Sequence, residues 1–109
     1  MFYNLTEDNK KDINNILNKE ENVVVLYYMT YCGHCIELKP DWDKICVINK
    51  NSKDVIIVNV EADVLKYLNL KYRKNIVGFP TIIKYNKGIF VKEYDGIRKL
   101  SNLKTFIKK

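Results

Sequence analysis

The sequence predicts an α/β domain, with a central mixed sheet of four to five strands flanked by four helices. Three observations lead there. Short apolar runs such as Val23-Val24-Val25-Leu26-Tyr27-Tyr28 alternate along the chain with segments whose apolar residues recur at helical spacing. The last two strand-like runs are separated by Asn86-Lys87-Gly88, a hairpin signal, whereas the earlier ones need helical crossovers. The chain has 109 residues and an apolar fraction of 47%, enough for one domain over 1–109 with its own core.

Each element has a local reason. A short first strand at 2–5 is followed by Thr6, an N-cap with Glu7 and Asp8 in the first turn. That helix carries Ile13, Ile16 and Leu17 on one side. Val23–Tyr28 reads as a buried strand. A second helix over 36–50 places Leu38, Trp42, Ile45 and Cys46 on one face, and Pro40 removes a backbone donor inside it, which predicts a kink. Residues 54–60 form another strand, apolar enough to be central. Asp63 then caps a third helix through Val64, Leu65, Leu68 and Tyr72. After Gly78-Phe79-Pro80 come strands at 81–85 and 89–94, and Asp95-Gly96 turns the chain into a last helix bearing Leu100, Leu103, Phe106 and Ile107.

Composition narrows the function. The formal charge is +6, carried mostly by lysine, with Arg73 and Arg98 the only arginines. The densest groups, Lys71/Arg73/Lys74 and Lys104/Lys108/Lys109, sit at predicted helix ends, where cations offset the helix dipole. They lack interleaved aromatics, so they read as solvated surface and no nucleic-acid partner is expected. No apolar run of ~18 residues exists to span a bilayer, so no membrane association is expected. The first residues lack the basic start and apolar core of a signal peptide, and the last ones carry no retention tetrapeptide. A cytosol-like compartment is expected, or a secretory lumen if the chain is part of a longer protein; a monomer is expected in either case.

Cys32-Gly33-His34-Cys35 carries the chemistry. A C-x-x-C between a strand and a helix points to thiol–disulfide exchange rather than to a structural bridge or a metal cluster. Cys46 follows Cys35 by eleven residues on the same helix, ~16 Å at the helical rise, beyond disulfide reach. It reads as a small buried hydrophobe. The same spacing keeps Cys32, His34, Cys35 and Cys46 from converging on zinc, so no metal is expected.

Four features resemble the thioredoxin superfamily, and within it the catalytic domains of protein disulfide isomerases. They are Tyr31-Cys32-Gly33-His34-Cys35, Leu38-x-Pro40-x-Trp42, Gly78-Phe79-Pro80-Thr81 and Tyr94-x-Gly96-x-Arg98, in family order. The resemblance implies a thioredoxin fold and a thiol–disulfide oxidoreductase acting on protein or peptide thiols and disulfides, with a reductase or glutathione as electron partner. It implies no cofactor beyond the Cys32–Cys35 pair. Cys32 would sit at a helix start, where free N–H groups and the dipole favour its thiolate. Cys35 would resolve the mixed disulfide, and Gly33-His34 would set the potential, nearer the isomerase end of the scale than the thioredoxin end. A cis Phe79-Pro80 would hold extended substrate through backbone hydrogen bonds, with Tyr31, Ile76 and Phe79 as an apolar rim. Arg98 matches an arginine that, in the isomerases, lowers the pKa of the second cysteine; it reads equally as a plain surface cation in the last helix.

The departures from that pattern are informative. Isomerases carry Trp where this chain has Tyr31, and Lys where it has Ile36. They also carry a buried acid paired with a Lys on the neighbouring strand, and here Leu26 and Asn59 stand in those places. Losing both together is coherent, because a buried Lys without its acid is an uncompensated charge. Proton transfer at Cys35 must then be served otherwise, which predicts slow resolution. Two rivals remain open on the sequence: a thioredoxin-type dithiol reductant, and a peptide-binding or chaperone-like module with secondary redox activity.

Overall fold

The computed structural model describes residues 1–108, and Lys109 of the basic C-terminal group lies outside them. Five strands stand in the order β1-β3-β2-β4-β5: β1 (Phe2–Asn4), β2 (Val23–Tyr28), β3 (Ile56–Glu61), β4 (Thr81–Asn86) and β5 (Ile89–Glu93). β1 and β2 both run parallel to β3, while β4 is antiparallel to β2 and β5 to β4. The helices are α1 (Lys10–Lys19), α2 (Gly33–Ile48) and α3 (Leu100–Lys108), with a 3-10 segment between β3 and β4. This is the expected mixed sheet.

Period-two alternation splits the core between the faces of the sheet. Val23, Val25, Tyr27, Val58 and Val60 meet Ile13 and Leu17 of α1 together with Leu68 and Tyr72. On the other face, Val24, Leu26, Ile57 and Ile82 meet Leu38, Trp42 and Ile45 of α2 and Leu103 and Phe106 of α3. β2 is buried from Val23 to Tyr27, as a central strand covered on both sides must be. The Tyr27 hydroxyl lies 2.8 Å from that of Tyr85 and donates to the Tyr72 carbonyl at 2.7 Å, so this apolar layer holds its phenols without an unmet polar atom.

Three local expectations need correction. α1 begins at Lys10, with Asn9 in the N-cap position but without a side-chain capping bond, and not after Thr6. Thr6 and Asn9 exchange hydrogen bonds (Thr6 N–H to Asn9 Oδ1, 2.8 Å; Asn9 N–H to Thr6 Oγ1, 3.3 Å), and the Asn9 amide also holds the Asn4 carbonyl. Those bonds close a turn over Glu7 and Asp8 and delay the helix by one turn. The helical segment after β3 is two 3-10 turns, Ala62–Tyr67 and Leu70–Tyr72, capped at its start by Glu61 rather than Asp63. Asn14 of α1 breaks it: its amide donates to the Tyr67 carbonyl and accepts from Asn69 N–H, each within 2.9 Å. Those tertiary bonds replace the ones a continuous α-helix would make. Arg98 precedes α3 instead of lying within it.

α2 starts at Gly33, a turn earlier than its apolar pattern, and runs past Pro40 as one element. The hairpin turns at Lys87 and Gly88, whose φ values of 49° and 82° are both left-handed, the type I′ geometry that suits the twist of β4 and β5. Lys84 of β4 is buried; its ammonium donates to the Phe106 carbonyl and lies 4.9 Å from that ring's centre. A cation at the C-terminal end of α3 offsets that helix's dipole. No helix among the described residues is long and apolar enough to cross a membrane.

Candidate active site

β2 delivers the chain to the site. It ends at Tyr28, and four residues later Cys32 is the N-cap of α2, with extended backbone at φ −84° and ψ 129°. The turn between is closed by Cys32 N–H to the Met29 carbonyl (3.1 Å), and α2 opens with Ile36 N–H to the Cys32 carbonyl (2.9 Å). Gly33 and His34 form the exposed first turn of the helix, and Cys35 follows, buried beneath it. All three cysteines are free thiols in this structure.

The two sulfurs are in different surroundings. Cys32 is partly exposed and its pKa is lowered. The largest cause is the backbone N–H of Cys35, which faces the sulfur without closing a full capping bond; the Cys35 thiol, the His34 N–H and the Arg98 charge add to it. Cys35 is pushed the other way, first by burial, and its sulfur accepts from Met29 N–H at 3.5 Å. The arrangement thus separates a thiol that ionises readily from one that does so reluctantly. Cys46 is buried in the core and also raised by burial, with the Asn59 amide 3.7 Å from its sulfur.

The loop before β4 closes over Cys32. Phe79-Pro80 is a cis peptide, and the Phe79 carbonyl accepts from the Cys32 thiol at 3.5 Å. Thr81 Oγ1 donates to the Gly78 carbonyl at 2.7 Å and ties the loop to the strand. Pro80 is buried, and Phe79 and Ile76 are half-buried against the core. Tyr31 is 90% exposed, directly before the outer thiol. Sequence reasoning missed Val77, which is 99% exposed in the same loop, and Met29, which both holds Cys35 and presents an exposed side chain. Val77 had a legible signal, an apolar residue in front of Gly-Phe-Pro; Met29 had none.

Of the predicted set, Cys32, Gly33, Cys35, Phe79 and Pro80 meet at one place, with Tyr31 on its rim. His34 points elsewhere, sharing an open depression of about 440 Å³ with Glu37, Gly96 and Arg98. Arg98 is exposed, yet its charge reaches both sulfurs. Gly96 lets the chain pass close to the Tyr94 ring, where a Cβ would stand 2.9 Å from the phenol oxygen.

Under Cys35 lies a cavity of about 220 Å³ that runs between α2 and the sheet to Asn59. Leu26 and Asn59 are direct partners in the β2–β3 register, so the two departures from the isomerase pattern are neighbours. Asn59 accepts from Trp42 Nε1 at 2.7 Å and donates to Asn4 Oδ1 at 3.1 Å. A buried amide with both ends satisfied costs little, whereas an unpaired one costs about 1–3 kcal/mol. Among the described residues no group of three or more His, Cys, Asp or Glu is placed to hold a metal ion.

A parallel–antiparallel sheet with a C-x-x-C at the start of α2 and a cis-proline loop against the outer sulfur defines a domain of the thiol–disulfide oxidoreductase class. The family model described as "Thioredoxin" matches residues 4–109, and the chain belongs to that family. It is 37% identical over 93 residues to a probable protein disulfide-isomerase A6 of Medicago sativa, covering 84% of this chain and 25% of that protein. A protein disulfide-isomerase of the same plant is 31% identical over 107 residues, covering 96% of this chain and 21% of that protein. The solved structure of the human ERp44 zinc-bound form superposes with a TM-score of 0.73 at 26% identity, over 99% of this chain and 30% of that one. The chain thus spans about a quarter of the length of the relatives it matches.

The two pKa directions give a testable order. The thiolate is the species that alkylates, so Cys32 should reach its half-maximal rate with iodoacetamide below the ordinary thiol value of about pH 8.5, and Cys35 above it. Peptide mapping of the alkylated protein across pH measures both, and equal profiles for the two cysteines would contradict the geometry.

Proposed function

We propose that this domain exchanges disulfides with protein substrates in the manner of a disulfide isomerase. The observation that supports it best is the pairing of a partly exposed Cys32, whose pKa is lowered, with a buried Cys35, whose pKa is raised, one helical turn away. The Cys32 thiolate attacks a substrate disulfide and forms a mixed disulfide. Cys35 then loses its proton and attacks the Cys32 sulfur; the substrate leaves as a thiolate, and the domain keeps the disulfide. The reverse sequence oxidises a substrate. Escape of the mixed disulfide before Cys35 attacks lets the substrate rearrange, which is isomerisation.

Substrate holding falls to the loop and the rim. The backbone of Phe79 at the cis bond offers strand-like hydrogen bonds that read no sequence. Tyr31, Val77, Met29 and Ile36 surround the thiols with exposed apolar surface, which suits unfolded chains. That surface also keeps the binding-module reading alive. The backbone N–H of His34 helps to hold the Cys32 thiolate, and Arg98 acts on both sulfurs from the segment before α3. No cofactor takes part, and glutathione or a reductase supplies or removes electrons.

The domain should reduce insulin disulfides and reactivate a scrambled, disulfide-bonded substrate, and Cys32→Ala should abolish both; activity surviving that change would rule out the mechanism. Binding of an unfolded chain that persists in Cys32→Ala, with no turnover in the parent, would favour the binding module. Leu26→Glu restores a proton acceptor beside the cavity and should speed resolution of the mixed disulfide several-fold at neutral pH; an unchanged rate would show that the proton leaves by another route.

A further inference from the structure

Resolution needs the Cys35 thiol to become a thiolate inside the fold, and the cavity beneath it contains no carboxylate. Leu26 occupies one wall, and Asn59 is occupied by Trp42 and Asn4. Glu61 of β3 is outside the cavity lining, and its carboxylate accepts from the hydroxyl and N–H of Thr30, which lines it, and from Asp63 N–H. Tyr28 of β2 lines the cavity, but burial raises its pKa and keeps it a neutral phenol. Cys32 beside Cys35 adds negative charge when ionised, and Arg98 approaches from the side of the 95–99 segment. Lys39, among the described residues, is the one charged side chain in the cavity lining.

Its position on α2 makes that meaningful. Lys39 is four residues after Cys35, so the two lie on one helical face with Cβ atoms roughly 5–6 Å apart. Long side chains on a helix lean toward its N-terminus, over the residue four positions earlier. Lys39 at present bonds forward to Asp43 at 3.0 Å, in a pair whose side chains are 72% and 58% exposed. Such an exposed pair is worth under about 1 kcal/mol and opens readily.

We propose that Lys39 is a catalytic residue of the resolving step: its ammonium leaves Asp43, swings one turn back along α2 and holds the Cys35 thiolate in place of the acid that position 26 lacks. The proposal rests on the thiol–disulfide reading of the site. Solvent base takes the Cys35 proton, and Lys39 keeps its own. The thiolate attacks the Cys32 sulfur, the Cys32–Cys35 bond forms, and the bond to the departing group breaks. The cysteine pair loses two electrons, and the leaving thiolate carries them away and is protonated by water. Isoleucine at position 36 leaves the approach free of a competing cation.

Stopped-flow reaction of the reduced protein with dipyridyl disulfide separates the steps, and that neutral reagent is itself insensitive to a surface charge. Cys32 releases the first thiopyridone in a bimolecular phase, and Cys35 releases the second in a unimolecular one. Lys39→Met should leave the first phase unchanged and slow the second about three- to tenfold near pH 7, the effect of losing a nearby cation. Removing the cation raises the Cys35 pKa, so variant and parent should converge at high pH, where both are ionised. Lys39→Arg should restore the rate, and Asp43→Asn should match or exceed the parent. A second phase unaltered in Lys39→Met at every pH, both phases slowed alike, or a slower Asp43→Asn would overturn the proposal. Absence of the first phase in the parent would instead overturn the thiol–disulfide reading.

Discussion

Cys32 stands where the most buried strand of the sheet hands the chain to the start of α2, and the N–H groups of that helix's first turn face its sulfur. Other features of the site depend on this one interaction. Because Cys32 is the N-cap residue, Cys35 falls one turn deeper, where burial raises its pKa. Because the helix starts at Gly33, Leu38, Trp42 and Ile45 land on the sheet and anchor α2. Burial of side chains of this size is worth about 1.5–3 kcal/mol each, ample to hold the helix start in place. β4 completes the site by entering beside β2 in antiparallel register, which brings Phe79 and Pro80 over the outer thiol.

The inner thiol is served differently. Its cavity is lined by leucine and satisfied amides where an ionisable pair stands in the isomerases that the sequence resembles. A buried acid there would need a partner to offset its desolvation, and Asn59 is already committed to Trp42 and Asn4. Leu26 and a fully hydrogen-bonded Asn59 leave this core with its polar groups satisfied and without a carboxylate in the cavity. The charge of Arg98 favours the Cys35 thiolate from the rim, and Lys39 lines the cavity beneath it.

Much of this was legible in the sequence because the decisive patterns are local. β2 is a continuous apolar run and β3 is apolar but for Asn59 and its last residue, Glu61, and the hairpin is fixed by residues that tolerate positive φ. The C-x-x-C and Gly-Phe-Pro-Thr stretches placed the site, and Leu26 and Asn59 marked where it departs from its relatives. What stayed hidden depends on tertiary partners. Thr6 and Asn9 are both good caps, and only the bond from Asn9 to the end of β1 decides between them. The 3-10 segment follows from one amide on α1. No spacing rule puts Lys84 inside the fold, because its burial depends on the end of a helix 22 residues away. Nor does spacing show that Lys39 and Cys35 share a cavity.

The most direct test of the account is the reduction potential of the cysteine pair in glutathione buffers, with the disulfide located by mass spectrometry. A thiolate favoured at Cys32 stabilises the dithiol and makes the disulfide more oxidising. The account predicts a Cys32–Cys35 disulfide, Cys46 still a thiol, and a potential nearer roughly −180 mV than roughly −270 mV. A value at or below roughly −270 mV, or a disulfide that includes Cys46, would contradict it.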